Sequence, residues 1–354
     1  TCSRYVQFLC LLSSLHLGAA VVFEIEAVSP RFCAPEEPHF DNATQRLIFA
    51  DQFGKQFCSY DLNTNLTSCT SLDEFTAAIV PIKNSTNQFL AGIGPYLTVF
   101  TWDEISAEST YVVLARPETE AAFPGNFFND GKADITGRFW IGSQGPLDPS
   151  GPSGAVPNRG SFYSYVTENC SFAKKIGNVS ISDGLAWNSD YTTLFYIDSG
   201  VNTVDRFDFD IETGEISNRR TVIDYKETDI PGFAHGMTID TEDYLYVTIY
   251  GGSVITRVDP NSGEVLMRIE MPMTLVADAE WGGPDLDVLY VTSHSRGLDG
   301  SELEEQPLAG RVVAVRGLNA SGRVANDAII CLQSGSHESA TCSSKSRLRK
   351  LGST

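Results

Sequence analysis

Thr193-Leu194-Phe195-Tyr196-Ile197-Asp198 is followed after a short turn by Val204-Asp205-Arg206-Phe207-Asp208, so an apolar strand leads into a second strand that closes on an acid. The same unit recurs as Arg46-Leu47-Ile48-Phe49-Ala50-Asp51 before Cys58-Ser59-Tyr60-Asp61, and as Tyr244-Leu245-Tyr246-Val247-Thr248 before Val254-Ile255-Thr256-Arg257-Val258-Asp259. Weaker copies start near Phe89, Phe139 and Val288. Six units at a spacing of roughly 45–50 residues, rich in aromatic and β-branched residues, predict an all-β fold, a six-bladed β-propeller. Turns such as Asp259-Pro260-Asn261-Ser262-Gly263 separate the strands. Sustained helical periodicity is absent, and nothing marks a linker that would divide the chain into a pair of β-sandwiches.

The propeller is expected over residues 21–333 of the 354-residue chain. In residues 1–20, Arg4 supplies a positive charge, Val6 to Leu17 is mostly apolar and Gly18-Ala19-Ala20 offers small residues, the pattern of a cleaved signal peptide. That run is shorter than the ~20 residues a membrane span needs. Residues 334–354 are Ser-rich and polar and read as a flexible tail. Two further features fit a secreted, extracellular glycoprotein. Six N-x-[ST] sequons begin at Asn42, Asn65, Asn84, Asn169, Asn178 and Asn319. With Cys2 and Cys10 inside the leader, six cysteines remain, at 33, 58, 69, 170, 331 and 342, an even number that argues for disulfides.

Cys58 and Cys69 lie equally far from Asn63-Thr64, so a two-residue hairpin there would set them opposite each other on neighbouring strands. Cys33 and Cys331 sit near the two ends that a propeller brings together, and form a second expected pair. The formal net charge is −20, and the only basic cluster runs from Lys345 to Lys350. That balance disfavours nucleic acid and anionic membranes as partners and favours cations.

In a propeller, polar residues that open the inner strands converge on a central channel. Four runs have this character: Pro35-Glu36-Glu37-Pro38-His39-Phe40, Asn129-Asp130-Gly131-Lys132-Ala133-Asp134, Asp183-Gly184-Leu185-Ala186-Trp187 and His235-Gly236-Met237-Thr238-Ile239-Asp240. Each sets an oxygen or nitrogen donor beside a Gly or Pro. Any one alone would be an ordinary turn, but four recur at blade spacing.

These runs resemble the gluconolactonase, senescence marker protein (regucalcin) and luciferin-regenerating enzyme family. The resemblance continues through Gly137-Arg138-Phe139-Trp140-Ile141-Gly142, Phe207-Asp208-Phe209-Asp210, Thr213-Gly214-Glu215-Ile216-Ser217-Asn218-Arg219-Arg220 and Trp281-Gly282-Gly283. It implies a six-bladed propeller with one divalent metal in the channel, used to hydrolyse lactones or related esters. The implied metal ligands are Glu36, Asp183 in place of the family's Asn, and His235 in place of its Asp. Both changes keep a donor, and the set with a neutral imidazole keeps the same charge. Two carboxylates and an imidazole suit Zn²⁺ or Mn²⁺ at least as well as Ca²⁺.

The resemblance also proposes Asp183, His235 and Asp278 as catalytic candidates and Asn129 as a holder of water or substrate. Phe127 falls where the family has a substrate-binding Arg, and Leu147 near a second polar contact, so a substrate more apolar than a sugar lactone is expected. A metal-dependent hydrolase acting on a small molecule is thus the first reading. A non-catalytic secreted propeller that binds a small ligand or metal is the second, because fold does not fix function. An extracellular interaction protein is the third.

Overall fold

The computed structural model describes residues 6–9, 22–149, 154–166, 171–330 and 339–342. Its strands form six antiparallel sheets, each led by an inner strand: Pro35–Asp41, Thr76–Pro81, Phe127–Ala133, Ser182–Trp187, Phe233–Ile239 and Val276–Gly282. The chain is therefore a six-bladed β-propeller.

The second strand of each blade reads as a continuous apolar run because both of its faces are covered. Along Thr193–Asp198, Leu194 and Tyr196 pack with Trp140 and Phe162 of the preceding blade, whereas Phe195 and Ile197 pack with Ala234 and Val247 of the next. Arg46–Asp51 repeats the pattern, with Leu47 and Phe49 against Tyr290 and Ala314, and Ile48 and Ala50 against Ile79 and Phe89. Each fully buried side chain of this size contributes about 1.5–3 kcal/mol. The core is thus spread over the six blade-to-blade interfaces, and the axis is left to polar groups.

The acids that punctuate the repeat have two jobs. Asp61, Asp210 and Asp259 accept the backbone N–H two residues on, at 2.8, 2.9 and 2.9 Å, which fixes the tight outer turns. Asp51 and Asp198, at the ends of second strands, accept the N–H groups of Ala34 at 2.6 Å and Ile181 at 3.2 Å. They pin the segment that enters each inner strand.

Ring closure is made by backbone pairing. The last blade takes its fourth strand, Val22–Ala27, from the start of the fold, pairing Glu24 with Arg316 and Ala27 with Val313. The expected Cys33–Cys331 bridge does not serve this purpose: Cys33 carries a free thiol, and Cys331 lies outside the described residues. Cys58 and Cys69 are disulfide-bonded and directly opposed, as the symmetry about Asn63-Thr64 requires. The turn between them differs from the expected two-residue hairpin. Asp61 and Leu66 are the last pair, so residues 62–65 form a four-residue loop about the same centre, and the register is unchanged.

Of residues 1–20, only Val6–Leu9 is described, and it pairs with Val22–Ile25. Of residues 334–354, Ser339–Cys342 is described, as a fifth strand on the second blade. No helix among the described residues is long and apolar enough to cross a membrane.

Candidate metal centre

All six inner strands lose register with their neighbours at the same place. The breaks fall between Glu36 and His39, Thr76 and Ile79, Phe128 and Gly131, Ser182 and Leu185, Ala234 and Met237, and Val276 and Ala279. A bulge re-aims the side chains it releases from pairing. Those released here include Glu37, Asn129, Asp130, Asp183, His235 and Asp278, so the bulge is what turns the four sequence runs toward the axis.

Glu36 and His235 line a cavity of about 340 Å³, and Asp183 lies beside His235 just outside that lining; among the described residues the only three carboxylate, imidazole or thiol donors within 4.8 Å of one another are Glu37, Asp130 and Asp278. His235 Nδ1 lies 3.7 Å from Asp183 Oδ1. Asn129 donates from Nδ2 to the same Asp183 oxygen at 2.7 Å and to the Ser182 carbonyl at 2.9 Å. Gln52 donates to Asn129 Oδ1 at 2.6 Å, and the Ser199 hydroxyl binds Asp183 Oδ2. Gly184, beside Asp183, is needed for close packing: a Cβ there would lie 2.5 Å from the Met237 nitrogen.

A fourth donor was not anticipated. His294 Nε2 stands 2.5 Å from Glu36 Oε1, yet it has no aligned hydrogen-bond partner, and its Nδ1 faces the Tyr250 hydroxyl at 3.1 Å. His294 follows the second strand Val288–Ser293 just as Gln52 follows Arg46–Asp51 and Ser199 follows Thr193–Asp198. All three residues reach into the axial site. That shared position, one past each second strand, was the signal in the sequence that could have found it.

The electrostatics are those of crowded, buried acids and bases. Burial pushes Asp183 well above the usual carboxylate range, and Glu36 adds to the rise against the pull of Ser199. Glu36 is also raised by burial, but the neighbouring His294, with His235 and Arg296, more than offsets this and holds it below its ordinary value. Burial lowers His235, with Glu36 opposing. The two pairs, Glu36 with His294 and Asp183 with His235, supply carboxylate and imidazole donors of the kinds a divalent transition ion takes.

Two expected positions are placed differently. Phe127 does not line the cavity: it is buried behind Phe53, 6.5 Å away edge to face, and packs on Phe75 at 4.9 Å. It precedes the bulge and so keeps the ordinary strand direction. Asp278 sits deeper in the channel, with Glu37 and Asp130. It occupies the second released position of its bulge, as does Asp130, whereas Asn129, Asp183 and His235 occupy the first. Leu147 does border the cavity, bridged to Ala155, as do Phe53, Phe233 and Arg296, whose guanidinium lies 4.0 Å over the Phe53 ring.

The chain is thus a six-bladed propeller with buried carboxylates and imidazoles beside its axis. Residues 34–295 match the family described as "SMP-30/Gluconolactonase/LRE-like region", and the chain belongs to that family. It is 34% identical over 301 residues to regucalcin from Macaca fascicularis, covering 84% of this chain and 96% of that one. Among solved structures, a luciferin-regenerating enzyme superposes with a TM-score of 0.79 at 31% identity, covering 87% of this chain and 99% of that one. A calcium-binding regucalcin from Agrobacterium tumefaciens has the same fold, with a TM-score of 0.75 at 24% identity, covering 86% and 97%.

Proposed function

We propose that the protein is a divalent-metal-dependent hydrolase of lactones or small esters whose acyl or alkyl part is more apolar than a sugar. The observation that carries this reading is the pairing of Glu36 with His294 and of Asp183 with His235 beside the axis, four buried side chains of the types that bind such ions. These four would hold the ion, Zn²⁺ or Mn²⁺ before Ca²⁺ given the two imidazoles. When bound, it supplies Lewis acidity toward an ester carbonyl and acidifies water.

The chain's own residues do the rest. Tyr250, opposite His294 Nδ1, orients the ring so that Nε2 faces Glu36. Asn129 and Ser199 hold the two oxygens of Asp183. In this reading Asp183 takes a proton from the attacking water and returns it to the leaving alkoxide, so that ester and water give acid and alcohol. His235, stacked on Tyr250 at 5.2 Å, closes the far side. Phe53, Leu147, Ile181 and Phe233 give the guest an apolar wall, and Arg296 a single cationic contact. The cavity falls within the ~300–1,000 Å³ usual for small-molecule sites.

The replacement of two family ligands by Asp183 and His235 favours one second reading, a propeller that binds a ligand or metal without turnover. A panel of aryl esters, alkyl lactones and gluconolactone, offered to chelated and to metal-restored protein, separates the two. Metal-dependent hydrolysis of the apolar substrates is expected. Tight metal uptake with no hydrolysis of any substrate would leave the binding protein as the better reading.

Secretion is proposed on separate grounds. The Cys58–Cys69 disulfide suits an oxidising compartment, and the sequon residues Asn65, Asn84, Asn178 and Asn319 are exposed.

A further inference from the structure

Deeper in the channel lies a second acidic group that the proposed chemistry does not use. Carboxylate oxygens of Glu37, Asp130 and Asp278 all lie within 4.8 Å of one another, and the three residues are 6%, 2% and 2% exposed. Asp130 Oδ1 and Asp278 Oδ2 have no hydrogen-bond partner. The Lys132 ammonium attracts Asp278 and Asp130 electrostatically, but its hydrogen bonds go to Glu280 at 3.1 Å and the Met237 carbonyl at 3.0 Å. Burying unpaired carboxylates is among the most costly arrangements a fold can hold, so a counter-charge or protons must occupy the space between them.

Local geometry shows how the space is made. Glu37 has a φ of 54°, in the left-handed region, which sends its side chain away from Glu36 and toward Asp130 and Asp278. Gly236 stands beside Asp278, where a Cβ would fall within 1.9 Å of Asp278 Oδ1. Any larger residue at 236 would displace the carboxylate.

From this arrangement we infer that Glu37, Asp130 and Asp278 form a second cation site, separate from the Glu36, Asp183, His235 and His294 set. Its donors are all oxygen and three are carboxylates, the chemistry of Ca²⁺. The two sites therefore differ in metal class, a hard ion within the channel and a transition ion at the mouth. The inner ion cross-links the first, third and sixth blades at the axis, which is a structural duty.

The test is isothermal titration of the chelated full-length chain with Ca²⁺, compared with Zn²⁺. Wild type should take up one equivalent of Ca²⁺, and Glu37→Gln and Asp278→Asn should each weaken it by about tenfold or more, since ligand charge count tunes calcium affinity over decades. Asp183→Ala and His294→Ala should keep Ca²⁺ binding. No Ca²⁺ uptake by wild type would overturn the inference, as would loss of Ca²⁺ in Asp183→Ala with retention in Glu37→Gln. Should the channel variants fail to fold, Ca²⁺ must still raise the melting temperature of His294→Ala, and no rise would count against the site. Failure of the hydrolase reading shows separately, as a Zn²⁺ isotherm without turnover.

Discussion

Glu36 and Glu37 are adjacent in the chain but serve opposite levels of the channel: Glu36 meets His294 at the mouth, and Glu37 meets Asp130 and Asp278 within it. The left-handed backbone of Glu37 makes this possible, because it turns two successive side chains to different depths. A non-glycine residue in that conformation costs roughly 1–2 kcal/mol. The first inner strand thus supplies a carboxylate to each proposed site.

His294 should be as necessary as the ligands the family resemblance named. His294→Ala is expected to lower Zn²⁺ affinity and to abolish much of the thermal stabilisation that Zn²⁺ gives, which amounts to about 2.7 kcal/mol at a hundredfold excess over Kd. Thermal melts with and without Zn²⁺ check this. An unchanged shift in the variant would remove His294 from the donor set.

Arg296 should govern selectivity. Stacked over Phe53 at the mouth, it is placed to meet a carboxylate on the guest. Arg296→Met is expected to reduce kcat/KM for an aryl ester bearing a carboxylate by about tenfold, the worth of one charge-assisted hydrogen bond of ~1.5 kcal/mol, and to spare the neutral ester. Equal losses for both would place Arg296 in a packing role.

The fold was legible because alternate residues of each second strand pack against opposite neighbours, giving apolar runs that recur at blade spacing. The acidic turns were legible for the same local reason, an Asp binding its own backbone. The site was only half legible. Asn129, Asp183 and His235 occupy the first released position of a bulge and face the mouth, whereas Glu37, in the same position but with a left-handed backbone, lies deeper. Asp278 occupies the second and lies deeper, a distinction of one residue that changes the direction of a side chain completely. Phe127 was misjudged because it precedes the bulge, and His294 was missed because it closes a strand instead of opening one.

The Cys58–Cys69 bond closes a short loop, with a sequence separation of 11. Replacing both residues by Ala should cost about 3 kcal/mol of stability through greater freedom of the unfolded chain. Chemical denaturation of the double variant measures it, and non-reducing peptide mapping should recover the bonded pair. A link from Cys58 to any other cysteine would contradict the register of the first blade.

Glu104 offers a test of the packing between the first two blades. Burial raises its pKa above the usual carboxylate value, despite a hydrogen bond from Ser59 at 2.7 Å and the nearby Arg46. A carboxyl raised in the folded state contributes stability below its unfolded pKa, and that contribution is lost as pH rises through the folded value. Glu104→Gln keeps an acceptor for Ser59 and removes the charge. It should therefore raise the melting temperature at pH 7 relative to wild type and lose that advantage near pH 4. A gain independent of pH would point to a cause other than the buried charge.

The central claim, that the mouth site is a metal-dependent hydrolytic centre with Asp183 moving the proton, is tested most directly by titrating chelated protein with Zn²⁺ while following phenyl acetate hydrolysis. Activity should rise in proportion to the first equivalent bound at the mouth. In Asp183→Asn the rate should fall by about 10²–10⁴, the range usual for loss of a general base. Hydrolysis that is indifferent to chelation, or a full complement of Zn²⁺ with no turnover, would contradict the account.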